Sequence, residues 1–460
     1  MADTHHTSLF PFDSVSAEAW KAKLEKDLKG KTFSELVSRD EDEISILPFY
    51  TAEDRRSTLH AVSKGDNAWA ITEEFVVEGN EGEVNKEILR SLRGGVNCLL
   101  LYVYDSVHFD RLFQDVELPF IRLNLVMEGD IAKGLSNLEQ LIQSRGWNRE
   151  EIRGNINWDV LENRARTGKW FRSQEEDFDT LKTILNSPLT GMNSTAINVN
   201  LFHNAGATPV QELAIGLAML NEYVEKLPEN SFESVWMNYA VGGQYFHDIA
   251  KLRAARELFA FYNAERKTDF KLRIHAETSV YNKSVFDLYN NMIRNTIETS
   301  AAIIGGADEV LTKPHDQLIQ PPTTFSRRIA RNNQLLLLHE SHMHQTVDPA
   351  KGSYFIEELT RELAEKAWDL FLEMEEKGGF ISFLESGALS ELIYKAHDEK
   401  KKAFENQEKI LVGVNKFPNS TDKALNWKMT EPKENSSRDK IIPVRLASEW
   451  EYEMWKNQKK

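Results

Sequence analysis

Cysteine is nearly absent from this chain of 460 residues, where Cys98 stands alone. A single thiol excludes an internal disulfide and any metal cluster built on several cysteines; within the apolar run 96–104 it is expected as a small buried hydrophobe. Positive charge is also scarce. Lys and Arg number 56 against 72 Asp and Glu, for a net charge of −16, and no strongly basic stretch interrupts that balance. Neither nucleic acid nor an anionic membrane is therefore an expected partner. Long apolar runs are missing too, since nothing approaches the ~20 apolar residues that span a bilayer. The start, Met1-Ala-Asp-Thr-His-His-Thr-Ser8, has neither the basic nor the apolar region of a secretion signal. Together these absences lead us to expect a cytoplasmic protein. Two nucleotide-binding signatures are lacking as well. No Gly-x-Gly-x-x-Gly follows a candidate strand, and Leu28-Lys-Gly-Lys-Thr32 has Glu25 where a phosphate-binding loop needs glycine. Gly30 reads as the end of a helix instead.

What is present is alternation. Between residues 196 and 278 the chain reads strand 196–202, helix 211–227, strand 234–241, helix 244–266 and strand 270–278. The helices place apolar residues at helical spacing, as in Leu213, Leu217 and Leu220, and the short runs are rich in β-formers. Strands joined by helices pair in parallel through right-handed crossovers. Outward from this stretch, strands are expected at 96–104, 120–127 and 154–159 on one side and at 309–314 and 347–354 on the other. Helices at 131–145, 177–185, 285–304, 324–340 and 357–377 complete the pattern. This predicts an α/β fold of the (β/α)8 TIM-barrel class, whose functional loops follow the C-terminal ends of the strands; an open doubly wound sheet is the alternative. The barrel occupies 66–400. Residues 1–65 read as an N-terminal arm, with an extended segment at 44–50 and a helix at 17–28 that exposes Trp20, Leu24 and Leu28. Residues 401–460 turn polar, with Pro418-Asn-Ser-Thr and Pro432-Lys-Glu-Asn-Ser-Ser, and read as a linker or tail with a short helix at 446–456.

Three polar clusters invite a functional reading. His339-Glu-Ser-His-Met-His344 has spacings that cannot all face one metal from a single helix; a helix end and its solvated loop explain it, and no metal is expected. Arg273 and His275 share one face of a strand at period two, so both can line a barrel interior, although satisfied polar core residues are the commoner case. Asp348-Pro-Ala-Lys-Gly-Ser-Tyr354 lies in the weakest strand and also carries the residues of a turn.

Seven segments then recur in one order: Ala205-Gly-Ala-Thr208, Lys251-Leu-Arg-Ala-Ala-Arg256, His275-Ala-Glu-Thr-Ser279, Tyr289-Asn-Asn with Arg294, Phe325-Ser-Arg-Arg-Ile-Ala-Arg-Asn332, Asp348–Tyr354 and Val412-Gly-Val-Asn-Lys416. Together they resemble the methylmalonyl-CoA mutase family. The resemblance implies a radical rearrangement between methylmalonyl-CoA and succinyl-CoA, with adenosylcobalamin held between a (β/α)8 barrel and a C-terminal cobalamin domain. The cofactor carries the radical chemistry and the protein orients the substrate.

The departures from that family are as informative. Its catalytic members end the fourth strand in Gly-Tyr-His-Met-Gln-Glu-Ala-Gly-Ala, whose histidine bonds the thioester carbonyl. Aligned on Ala205-Gly-Ala207, Leu201 stands at that histidine and His203 at the glutamine. The His-Arg-Gly-Tyr-Asp loop that carries the catalytic tyrosine after the first strand has no counterpart after Tyr104. Asn157, in Asn155-Ile-Asn-Trp158, replaces an active-site glutamine, and the carboxylate-binding Pro-Ser-Met-Arg is missing between Asp159 and Ala196. Only residues 417–460 follow Lys416, so no cobalamin domain is expected. Asp3-Thr-His-His-Thr-Ser8 begins like the Asp-x-His-x-x-Gly cobalamin motif but has Ser8 in place of the glycine. The second strand's Ser-x-Ser-x-Thr becomes Arg122-Leu-Asn-Leu-Val126, and side chains of that bulk would fill the axis along which catalytic members thread CoA.

The resemblance thus points to the family's small, non-catalytic subunit. Such a chain would bind no cofactor alone and would form a heterodimer with a large catalytic subunit holding adenosylcobalamin, with the arm as clamp. No catalytic residue is expected; what remains is a degenerate pocket of Arg122, Asn124, Asn157, Leu201, His203, Arg273, His275 and Glu277. Two other readings stay open. One is the barrel of a split acyl-CoA mutase that uses a separate cobalamin-binding chain, and the other is a regulatory barrel whose pocket holds another ligand.

Overall fold

Alternation within single strands sets the architecture seen in the computed structural model, which describes residues 15–54, 64–192, 195–228, 231–419 and 440–458. In Cys98–Tyr104, Leu99, Leu101 and Val103 join the main apolar core, while Cys98, Leu100 and Tyr102 point the other way. Arg122–Glu128 repeats this with Leu123, Leu125 and Met127 in the core and Arg122 and Asn124 opposite. The apolar core therefore lies between strands and helices, and the inner face of the sheet is left largely polar. The eight parallel strands are β1 (Ala70–Val76), β2 (Cys98–Tyr104), β3 (Arg122–Glu128), β4 (Arg153–Asn157), β5 (Thr195–Asn198), β6 (Ser234–Val241), β7 (Lys271–Thr278) and β8 (Glu309–Leu311).

They pair in the order β4-β3-β2-β1-β8-β7-β6-β5, which is the circular order of a barrel cut once and excludes the doubly wound alternative. The cut lies between β4 and β5. Among the described residues no backbone ladder joins these two strands, and side chains bridge them instead. Asn157 and Asn198 exchange reciprocal amide bonds of 3.0 and 2.9 Å, and the Asn198 backbone N–H donates to Asp159 Oδ2 at 2.7 Å. The result is a nearly closed (β/α)8 TIM barrel.

The arm and the C-terminal segment frame its loop-bearing end. Helix Ala17–Asp27 buries no residue, and Trp20 rests on Phe33 and Phe49, with ring centroids 6.3 and 4.9 Å away. Farther along, the arm lies on its own barrel: Asp40 meets His247 Nε2 at 2.8 Å, Lys366 donates to the Asp42 carbonyl at 2.8 Å, and Ile44 is buried. Glu41 pairs with Lys400 at 3.2 Å and Lys409 at 3.3 Å. Burial alone would raise this carboxyl, but the two ammonium groups outweigh it and hold it at about 2. At the other terminus a strap crosses successive loops. The N–H groups of Ile441, Val444 and Leu446 donate to the carbonyls of Ala165, Asn204 and Tyr281 at 2.8, 2.7 and 2.9 Å. The helix Ser448–Gln458 follows, its buried Glu451 accepting from Ser284 Oγ and the Val285 N–H.

Several sequence expectations are corrected. The barrel opens one strand earlier than expected, at β1, whose central Glu73 and Glu74 conceal an otherwise apolar run. Glu73 pairs with Arg327 and Arg331 on helix Thr324–His339, and Glu74 lies 3.6 Å from Lys313. No strand forms at 347–354. Asp348 and Gly352 both adopt positive φ, at 45° and 89°, and Pro349 has no N–H to offer a ladder, so the segment is a turn that feeds helix Tyr354–Glu376. The strand expected at 196–202 stops at Asn198, and Asn200–Ala205 is a short helix. Gly206 ends that helix at φ 107°, and a Cβ there would come within 2.7 Å of His397 Cβ, which explains the glycine of Ala205-Gly-Ala-Thr208. Asp3–Ser8 and Pro432–Ser437 lie outside the described residues.

Candidate functional site

β8 contributes one ionisable residue to the barrel axis, and the other strands converge on it. Glu309 is fully buried. It accepts from Asn124 Nδ2 on β3 at 2.7 Å and from Trp236 Nε1 on β6 at 3.0 Å, and it lies 3.3 Å from His275 Nδ1 on β7. Arg122 stands 3.5 Å from its other oxygen. Burial pushes the carboxyl up, but the bond and charge of His275, with Arg273 and Trp236, outweigh it and hold Glu309 at about 2. The Trp236 and His275 rings pack with centroids 4.9 Å apart, and Asn124 also meets Cys98 Sγ at 3.4 Å. Arg273 donates to the Gly154 carbonyl at 3.1 Å, across the axis. The middle of the barrel is thus occupied by wholly buried side chains that are bonded to one another.

Closer to the C-terminal mouth a second layer forms. Glu277 accepts from Asn200 at 3.0 Å and pairs with Lys313 at 3.2 Å. Burial acts to raise the Glu277 carboxyl, and Lys313 with Asn200 brings it below its ordinary value. The Asn157–Asn198 pair sits on the seam beside Asp159, which bonds Asn198 and accepts from Tyr223 Oη at 2.6 Å. Here burial prevails and keeps the Asp159 carboxyl above its ordinary value.

Beyond the strands lies a hydroxyl–imidazole–carboxylate series. Ser279 Oγ is 3.0 Å from His203 Nε2, and His203 Nδ1 is 2.8 Å from Glu212 Oε1. The connectivity is that of a nucleophile triad, but Ser279 has no exposed surface. Its oxygen also bonds Asn204 at 3.2 Å and the Tyr281 N–H at 3.0 Å. Glu212 is in turn bonded by the buried Lys251, at 3.1 and 2.9 Å. Burial raises the Glu212 carboxyl, whereas Lys251 and His203 together bring it below its ordinary value. The series holds the His203 ring in place and offers no nucleophile that a substrate can reach. His203 edges a cavity of about 600 Å³ whose walls include Gly242, Ile293, Arg294, Ile297 and Val412.

The residues expected to form one degenerate pocket are therefore found at three heights. Arg122, Asn124, Arg273 and His275 gather around or below Glu309; Asn157 and Glu277 lie in the mouth layer; Leu201 and His203 lie on the short helix. Two residues apart on a helix are turned by ~200°, so Leu201 joins the apolar core while His203 faces the cavity. Reasoning from sequence missed Glu309 and Trp236, although an acid opening the apolar run Glu309-Val-Leu311 was a usable signal. His339–His344 forms a helix end and a short turn, with His344 Nδ1 on the Leu338 carbonyl at 3.1 Å.

A CoA ester threaded along the axis does not fit these residues, because Trp236, His275, Asn124 and Glu309 occupy mid-height. Eight parallel strands, loops at their C-terminal ends tied by polar networks and an occupied axis define a (β/α)8 barrel without an open bore. Comparison with known proteins gives the family. The family model for methylmalonyl-CoA mutase matches residues 101–447. The methylmalonyl-CoA mutase small subunit of Porphyromonas gingivalis is 32% identical over 449 residues, covering 90% of this chain and 71% of the relative. That of Streptomyces virginiae is 30% identical over 446 residues, covering 90% and 72%. The methylmalonyl-CoA mutase of Rhizobium meliloti is 34% identical over 319 residues, covering 66% and 45%. The chain belongs to the methylmalonyl-CoA mutase family.

Proposed function

We propose that this chain is the small, non-catalytic subunit of an adenosylcobalamin-dependent methylmalonyl-CoA mutase, and that it supports a large catalytic subunit in a cytoplasmic heterodimer. The observation that carries this reading is the occupied axis around Glu309. The positions at which the resemblance places catalytic groups support it. Leu201 is a core residue, Asn157 is committed to Asn198, and the segment after β2 runs from Tyr104 into the short helix Phe109–Leu112. Counting the extra first strand does not restore the tyrosine loop, since Val77-Glu-Gly-Asn80 after β1 contains no tyrosine. Adenosylcobalamin would sit in the large subunit, where it supplies the radical chemistry.

Coexpression with a methylmalonyl-CoA mutase large subunit tests the reading. The two chains should elute as one complex, with isomerase activity dependent on the large subunit. The purified small chain should show no calorimetric binding of adenosylcobalamin or CoA at micromolar concentration. Micromolar binding of either ligand would favour a split mutase, and failure to associate would overturn the subunit reading.

A further inference from the structure

On the outside of the barrel, helices Tyr245–Arg266 and Tyr354–Glu376 enclose a groove of about 370 Å³ lined by Glu257, Leu258, Phe261, Ala364, Glu365, Trp368 and Asp369. Its floor is apolar. The Phe261 and Trp368 rings meet edge-on, with centroids 4.6 Å apart, and Trp368 packs on Phe371 at 5.2 Å. Phe261 is nevertheless 42% exposed and Leu372, one turn beyond Trp368, is 43% exposed. The outer surface of a barrel helix is ordinarily polar, so a contiguous aromatic patch there marks a contact surface.

The rim of the groove is all of one sign. Glu257, Glu365 and Asp369 line it, and among the described residues no Lys or Arg does. Glu365 is bonded by Arg361, whereas Glu257 Oε2 is buried without a hydrogen-bond partner among the described residues. Burial raises the Glu257 carboxyl to about 7, against the pull of Arg253, and an incoming cation would return it to the ionised form. An aromatic floor beside carboxylates suits a segment that brings an apolar anchor and a Lys or Arg. A second copy of this chain would set the same carboxylates against each other across a two-fold interface, which like charges oppose. The same two helices already carry the arm, through Asp40 on His247 and Tyr50 on Phe355.

We propose that this groove receives a basic segment of the large subunit, with an apolar side chain over Phe261 and Trp368 and a Lys or Arg reaching Glu257 and Asp369. The proposal rests on the subunit reading above. Its test is copurification of the coexpressed pair, with the full-length chain carrying Phe261→Lys together with Asp369→Lys, or, as a milder variant, Asp369→Lys alone. Gln143→Lys, on the exposed side of helix Ile131–Arg145 and away from every cavity described above, is the control, and circular dichroism confirms folding. We expect the double variant to weaken association at least tenfold, Asp369→Lys to weaken it severalfold and to reduce its salt dependence, and the control to match the parent. If the parent chain fails to copurify, the subunit reading fails and this proposal with it. If the parent copurifies and both groove variants do so equally, the groove proposal alone is overturned. It is likewise overturned if the parent self-associates and the groove variants abolish that instead.

Discussion

Glu309 shows how a single buried charge closes a barrel. A carboxylate in the axis is costly unless it is paired and bonded, and here Asn124, Trp236 and His275 come from three different strands to meet its Oε2, with Arg122 3.5 Å from Oε1. Glu309 is held at about 2 against an ordinary 4.5. The ionised form therefore favours the fold at neutral pH, and its contribution is lost as pH falls through the folded value. Replacing Glu309 with Gln should lower stability by about 3–5 kcal/mol at pH 7, since it breaks a buried charged network from one side. Urea unfolding followed from pH 7 down to pH 3 checks the sign, because the gap between parent and variant should narrow below pH 4.5. A gap that stays constant would mean that packing, and not charge, accounts for the loss.

Helix Leu288–Ile304 reverses the usual amphipathic arrangement. Its buried side carries Asn291, Asn295, Glu298 and Thr299, while Tyr289 and Ile293 are 70% and 61% exposed. Two of the inner polar groups bond across to the neighbouring loops: Asn295 donates to the Lys313 carbonyl at 2.7 Å, and Glu298 accepts from Lys283 at 2.7 Å. The usual rules for substitution should therefore invert. Ile293→Lys should change stability by no more than about 0.5 kcal/mol, whereas Asn295→Leu should cost about 1–3 kcal/mol by leaving a buried carbonyl without its donor. Chemical denaturation of the two variants decides; a large loss for Ile293→Lys would mean that the stripe is covered within the folded chain. The helix itself stands close to the expected 285–304; what the inversion hides is which of its faces is buried.

For the molecule as a whole, the arm divides at about residue 36. The helix at its start buries nothing, while Asp40–Ile44 is anchored by His247, Lys366, Lys400 and Lys409. Deleting residues 1–31 should leave the thermal midpoint of the barrel unchanged and should abolish copurification with the large subunit, because an obligate contact of this kind buries roughly 2,000–5,000 Å² with an apolar centre. Extending the deletion through residue 45 should also lower the midpoint, since it strips Ile44 from the core and leaves Lys400 without Glu41. Equal copurification by the shorter deletion would show that the arm is not the clamp. Protein lacking 1–31 thus separates binding from folding, which a deletion through residue 45 cannot do.

The sequence by itself determined the class of architecture, the family and most of the helices, because periodicities of two and of 3.6 are local properties of a chain. Helix 131–145 is found where its spacing places it, and the motifs around Lys251 and His275 lie on the elements expected for them. The tertiary structure decided what depends on partners far away along the chain. β1 is legible as a strand only once Arg327 and Arg331 neutralise Glu73, more than two hundred residues later. The segment 347–354 has β-formers only at its ends, Val347 and Tyr354, and the positive φ of Asp348 and Gly352 makes it a turn. Which polar residues meet in the axis was decided by register. Asn124 and Glu309 lie 185 positions apart, and no local pattern can report that parallel pairing and barrel closure bring them within bonding distance.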